Sequence, residues 1–178
     1  MQASRWSWRE DASRQVLAAL YLRDALGVVD PSGLPALRGT ALPAVAPPPD
    51  IVSWWWMRWW VAVVEERSLA TPPVGEDVFD ARVKHHLDAA RAYAELMADV
   101  IRVDLIADAG EPSVLGQELE ALRAGSARPW LDLRVEVLPL AEPGVWWIGE
   151  QTLAVDDRLR AEPEPYRAAI RPLLAHLT

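Results

Sequence analysis

The sequence predicts an α+β fold, mostly helical, with four to five helices and a small C-terminal antiparallel sheet of about three strands. Three observations carry this. Val83, Leu87, Ala90, Ala94, Met97 and Ile101 step by four and three, the spacing of one helix face. LDLRVEVL, at 131–138, alternates apolar and polar residues, the spacing of a strand. VWWI and QTLAV flank Gly149-Glu150, a two-residue hairpin turn with glycine first. A chain of 178 residues is expected to form one domain, residues 1–178. Its helical part spans about 1–125, and its β-hairpin and closing helix about 126–178.

The elements follow in order. RWSWR alternates and reads as a short strand or an arm. Residues 10–27 form a helix, with Leu17, Leu20, Leu22 and Leu26 on a wide apolar face and Gly27 as its stop. Six prolines between 30 and 50 exclude a regular helix there, and the interleaved Leu, Val and Ala suggest a loop lying on the protein. Asp50 caps a helix over about 51–67, which ends before Thr71, Pro72 and Pro73. Glu65 and Glu66 at its C-terminal end oppose the helix dipole.

The longest rod runs over about 76–107, with Asp80–Lys84 and Arg91–Glu95 as i,i+4 pairs opposite the apolar stripe, and Gly110, Glu111 and Pro112 as its end. A helix over about 113–124 is stopped by Gly125. The hairpin register pairs Ile148 with Gln151 and Trp146 with Leu153, so that Ile148, Trp146, Leu153 and Val155 share a face. Asp156 reads as a helix N-cap. A helix over about 164–177 closes the chain, with Pro165 in its first turn and Tyr166, Ile170, Leu173 and Leu177 as its buried stripe. Pro172 is expected to kink or break it.

Composition removes several classes of function. The chain has no cysteine, which excludes disulfides, thiolate metal sites and thiol nucleophiles. A formal charge of -8 argues against unaided binding to phosphate backbones. MQASRWSWRED lacks the apolar run of a secretory signal, so the cytoplasm is the expected location. Lys84 is the only lysine, Phe79 the only phenylalanine, and asparagine is absent. Codons for these three residues are AT-rich, which points to a high-GC bacterium or its phage.

SWWWMRWW, at 53–60, holds five of the ten tryptophans. On a helix stepping about 100° per residue, their rings cover well over half the circumference. The run is shorter than the ~20 residues of a membrane span, contains Arg58 and follows Pro47, Pro48 and Pro49. A helix apolar all round is otherwise central to a core. Five rings of about 150–250 Å² each overfill one side of a small core, so some are expected to face a partner. Trp55, Trp56, Trp59 and Trp60 are the candidate anchors, with Trp146 and Trp147 next.

No motif for phosphate, dinucleotide or nucleophilic chemistry is present. His85 and His86 are adjacent and point about 100° apart on a helix, so one metal does not take both. Asp104 and Asp108 share a helix face, with no third ligand evident. Neither a cofactor nor a metal is expected, and no catalytic residue is assigned. The reading is a non-enzymatic interaction or assembly subunit, associating with another protein or with itself. One alternative is a small-molecule or sugar-binding domain, or a small enzyme without a motif. A second is an acidic immunity-type or decoy protein that binds a basic partner, which salt would weaken.

Overall fold

RWSWRED forms a strand, β1 (Arg5–Asp11), so the sheet begins at the start of the chain. The computed structural model describes residues 5–40, 42, 48–66, 77–108, 112–126 and 128–177, with backbone alone at 66 and 77–82. After β1 come α1 (Arg14–Leu26), α2 (Asp50–Val61), a π-helical turn (Ala62–Glu66), α3 (Asp77–Ala107) and α4 (Val114–Gly125). Then follow β2 (Trp130–Leu138), β3 (Val145–Gly149), β4 (Thr152–Asp156), α5 (Asp157–Arg160) and α6 (Pro163–Leu174), ending in a 3-10 turn, Ala175–Leu177.

The α+β class holds, and the sheet differs from the expected one. It is mixed, has four strands and runs in the order β1-β2-β4-β3. β1 pairs parallel with β2, β2 pairs parallel with β4, and only β3 with β4 is antiparallel. The reason is topological. β4 inserts between β2 and β3, and β1 returns from the far end of the chain to cover the other edge of β2. Parallel neighbours need a long crossover, and α1 to α4 supply the one between β1 and β2.

β2 is therefore central, and every residue from Leu133 to Leu138 is buried. Trp6, Trp8 and Glu10 lie in register with Leu131, Leu133 and Val135. α4 and α6 cover this face: Gly116 lies over the Trp8 indole, and the Tyr166 hydroxyl donates to Glu10 at 3.0 Å. The opposite face carries Arg134, Glu136 and Ala154. It meets the start of α1, where the Ser13 N–H donates to Glu136 at 2.8 Å. α2 docks on α1 through the Trp56 indole N–H and the Ala19 carbonyl, 2.9 Å apart. α3 docks on α1 through the Tyr21 and Tyr93 rings and an Arg14–Asp99 ion pair of 2.9 Å.

Several local expectations change for local reasons. Asp50 sits inside the first turn of α2, after Pro49, and does not cap it. The Glu65 carboxylate turns away from its helix end and accepts the Glu150 N–H at 2.9 Å, which gives the helix-end acid its partner. The hairpin turn is Glu150-Gln151, with Gly149 opposite Thr152. An irregularity at Ile148 shifts the register, so Trp146 faces Ala154 and Trp147 faces Leu153. α6 continues through Pro172 to Leu174, which is buried where Leu173 is only half-buried. Gly27 does stop α1, at φ 69°, and Asp156 does cap α5. Residues 28–40 lie on the protein, with Leu34 and Leu37 buried. Arg67 and the segment Thr71–Pro73, before which that helix is expected to end, and Gly110 and Glu111 of the expected α3 stop lie outside the described residues.

Candidate functional site

α3 is apolar on two opposite sides. Of the stripe that the spacing predicts, Val83, Ala90, Ala94 and Ile101 are buried and Leu87 and Met97 are half-buried, with Ala98 buried beside them. On the solvent side Leu96 is 63% exposed, Val100 50%, Val103 67% and Ile106 73%. Ala89, Ala92 and Ala107 are exposed beside them. At about 100° per residue, Ala89, Ala92, Val100, Val103 and Ala107 all fall within about 40° of Leu96, and the buried stripe is centred on the far side. Asp88, Glu95, Asp99 and Asp104 flank this outward face, while Lys84, Arg91 and Arg102 lie further round the helix. Sequence reading missed it because one apolar stripe was enough to assign the helix. The 3–4 steps through 89, 92, 96, 100, 103 and 107 were there to be read.

The tryptophans divide. Trp56, Trp59 and Trp60 are buried in the core of the chain itself, with Trp56 and Trp60 stacked at 5.4 Å. Trp55, Trp146 and Trp147 are partly buried and packed against that core. Trp54, which was not among the candidate anchors, is 53% exposed. Its ring meets Trp55 edge to face at 4.9 Å, and the Arg58 guanidinium lies 5.6 Å from both rings. Ile51 and Val61 are exposed with it. Ile51, Trp54, Arg58 and Val61 step by three, four and three, so they form one outward stripe of α2.

A polar cleft lies at the C-terminal ends of the parallel strands. Three adjoining cavities of about 360, 300 and 250 Å³ share Asp108 and Arg160. Arg160 donates to both Glu10 oxygens at 3.2 Å and to Asp108 at 2.8 Å. Burial works against the Arg160 charge, but Glu10 and Asp108 outweigh it and raise its pKa. Burial, then Glu10, pushes the Tyr166 hydroxyl well above its ordinary pKa. Asp104 lines the 250 Å³ cavity, so the acids at 104 and 108 do meet at one cleft. The carboxyl ends of parallel strands are where open α/β sheets bind ligands.

The histidines stand apart from the cleft. His85 and His86 meet edge to face at 5.0 Å, and burial followed by the charge of His85 lowers the His86 pKa. Among the described residues, no group of three or more His, Asp or Glu is placed to hold a metal ion. No described helix is long and apolar enough to cross a membrane.

No family model matches this chain, and no curated protein or solved structure matches it. Function must therefore be argued from its surfaces.

Proposed function

We propose that the chain is a non-enzymatic interaction or assembly subunit, working in the cytoplasm of a high-GC bacterium or its phage, and that it docks through the outward faces of α3 and α2. The observation that supports this is the second apolar stripe of α3, where Leu96, Val100 and Val103 are each at least half exposed, with Ile106 exposed at its edge. A contiguous apolar patch on a folded chain is the mark of a docking surface, whereas single exposed residues are ordinary. Full burial of each such side chain is worth about 1.5–3 kcal/mol, and at least half of that is still unrealised here. Trp54, with Arg58 over its ring, supplies the kind of aromatic anchor that dominates interface energetics.

The test is the double variant Leu96→Glu/Val103→Glu, whose side chains point outward and leave the core alone. Stoichiometric association at high salt, with itself or with a second chain, should be lost in the variant. Association that is unchanged would sink the reading. Association that salt alone abolishes would favour the acidic decoy instead.

The cleft supports a second reading, a small-molecule site. About 360 Å³ lies within the range of ligand pockets, and Glu10, Asp104, Asp108 and Arg160 would set its polarity. A ligand panel read by the emission of Trp8, which lines the 300 Å³ cavity, tests it.

A further inference from the structure

We infer that β1, the open edge of the sheet, pairs antiparallel with β1 of a second copy of this chain, with Trp8 of each strand at the two-fold axis. The contact goes beyond the docking role proposed above and uses a different surface, since it leaves the outer faces of α3 and α2 free. Three features of RWSWRED point to it: the backbone it leaves open, the register this allows, and the charges that the register brings together.

β1 is the end strand of the sheet and has β2 on one side only. The Arg5 N–H donates to the Pro129 carbonyl at 2.8 Å, which fixes the phase of the parallel ladder. Arg5, Ser7, Arg9 and Asp11 therefore turn their N–H and C=O groups toward β2, and Trp6, Trp8 and Glu10 turn theirs outward. Among the described residues nothing takes these outward groups. Beside Trp8 and Glu10 stands the 300 Å³ cavity rather than a further strand. An edge left in this state is a template for another strand.

Only alternate residues offer outward groups, so a slip of one residue forms no ladder. With Trp8 facing Trp8, Trp6 of each copy faces Glu10 of the other, and every outward group of the strand finds a partner. A slip of two residues either way leaves one end of the edge unmatched. It also sets Arg5 against Arg9 in one direction and Arg9 against Arg9 in the other. A parallel copy would set Arg5, Arg9, Glu10 and Asp11 each against itself. The centred antiparallel register instead places Arg5 opposite Asp11 and Arg9 opposite Ser7. Facing residues of opposite charge favour a strand pair, and like charges disfavour it.

The two arginines have no use for their charge within one copy. Every other arginine whose side chain is described meets a carboxylate, a carbonyl or an indole ring of its own chain. The side chains of Arg5 and Arg9 meet none among the described residues. The second copy supplies both. Asp11 Oδ1 is held by the Ala12 N–H and by Arg102, which leaves Oδ2 for the Arg5 of the other strand. Ser7 is small, and Asp132 stands in register behind it, taking its hydroxyl at 3.0 Å. An arginine side chain that lies over Ser7 reaches that carboxylate. The two-fold symmetry makes the contact isologous and closed, the commonest form of self-association.

Ser7 and Arg9 are both exposed and form a non-hydrogen-bonded pair across the axis, where Cα atoms lie about 4.5 Å apart and a disulfide fits. The chain has no cysteine, so every thiol in a variant is the introduced one. The experiment is sedimentation equilibrium of the full chain, followed by oxidation of Ser7→Cys and Arg9→Cys chains, alone and mixed. We expect twice the chain mass in solution. The two variants should join to each other when mixed and not to themselves. Ser7→Arg sets like charges face to face and should raise the dimer dissociation constant roughly tenfold. The docking test with Leu96→Glu/Val103→Glu is then read on partners bound over and above this dimer. A monomeric chain overturns the inference, and so does a dimer that the mixed thiols do not join. Self-joining of either variant means a slipped register and overturns it as well. A dimer that Leu96→Glu/Val103→Glu dissolves and the mixed thiols leave unjoined overturns it while the docking reading stands. A dimer joined through 7 and 9 that binds nothing further supports the inference and removes the docking reading.

Discussion

Arg134 and Glu136 lie two residues apart on β2 and meet inside the protein, the guanidinium Nε 2.6 Å from a carboxylate oxygen. Both side chains are at least nine-tenths buried. The strand's alternation assigns Arg134 and Glu136 to the face opposite Leu133 and Val135, and α1 closes that face. The Ser13 N–H at the start of α1 binds the other carboxylate oxygen, so the pair ties the sheet to the helix layer.

Removing one partner of a buried pair strands a charge. Glu136→Leu is expected to cost about 3–5 kcal/mol in urea unfolding. The double change Arg134→Met/Glu136→Leu should recover most of that, because apolar replacement of a whole buried pair is often neutral. The pair also sets a pH dependence. Burial raises the Glu136 pKa against the pull of Arg134. The folded state thus favours the protonated acid. Its contribution is present below the ordinary carboxylate pKa and lost as pH rises through the raised one. Relative to Glu136→Gln, the native chain should be most stable below the ordinary carboxylate range and lose ground as pH rises above it. A pH-independent difference between the two would contradict this.

Gly149 belongs to the hairpin, and its value lies in what stands over it. A Cβ there would come within 2.7 Å of Val64 Cγ1 and still closer to the Glu65 carboxylate. Gly149→Ala should therefore cost about 1–3 kcal/mol, the usual range for overpacking. Glu65→Ala in the same chain should return only part of it, because Val64 stays in the way. A shift of the urea midpoint measures both.

The tryptophan run gives a paired test of core against surface. Trp59→Ala should destabilise the chain by about 3–5 kcal/mol, as large-to-small core changes do. Trp54→Ala should change stability by less than about 0.5 kcal/mol, as exposed changes do, and act on association instead. Equal effects on stability would mean that the two rings share one environment.

How much of this was legible follows from separation along the chain. The inner stripe of α3, the alternation of β2, the stop at Gly27 and the cap at Asp156 rest on neighbours within a few residues, and each is readable. Trp6 pairs with Leu131, and no local pattern records a partner that distant. The insertion of β4 between β2 and β3 is likewise a tertiary choice, since a hairpin alone favours a plain antiparallel meander. The cleft could not be read, because Glu10, Asp108 and Arg160 come from three separate parts of the chain. Which tryptophans stay exposed could not be read either. The run is apolar on nearly every side, and only the position of α1 decides which side is covered.

Tyr93 carries a second pH dependence, at the alkaline end. Burial first, then the charge of Asp24, pushes its hydroxyl up to about 12. The hydroxyl donates to the Arg38 carbonyl at 2.9 Å and so ties α3 to the loop before α2. The sign is that of a raised pKa. The contribution is whole below the ordinary tyrosine value near 10 and is lost as pH climbs toward about 12. Tyr93→Phe should remove one phenolate from the alkaline absorbance titration at about pH 12, and should flatten the loss of stability above about pH 10.

Arg23 is the buried cation that shapes the proline-rich loop. It is 3% exposed on α1 and donates to the carbonyls of Leu34 at 2.8 Å and Pro35 at 2.7 Å. Asp24 at 2.8 Å and Asp30 at 3.3 Å hold its charge. Asp24 also accepts the Leu37 N–H at 2.8 Å, so one helix end secures both sides of the loop. That loop then places Arg38 against Asp157 at 2.7 Å and Leu37 against Leu140, beside the ends of β2 and β4. A planar fork with several fixed donors makes these contacts, and an ammonium does not reproduce them. Arg23→Lys should therefore behave as a real loss, leaving buried carbonyls unpaired at about 1–3 kcal/mol each. Limited proteolysis should cut within 28–40 in the variant while the native chain resists. An Arg23→Lys chain as resistant as the native one would mean that Leu34 and Leu37 hold the loop by burial alone.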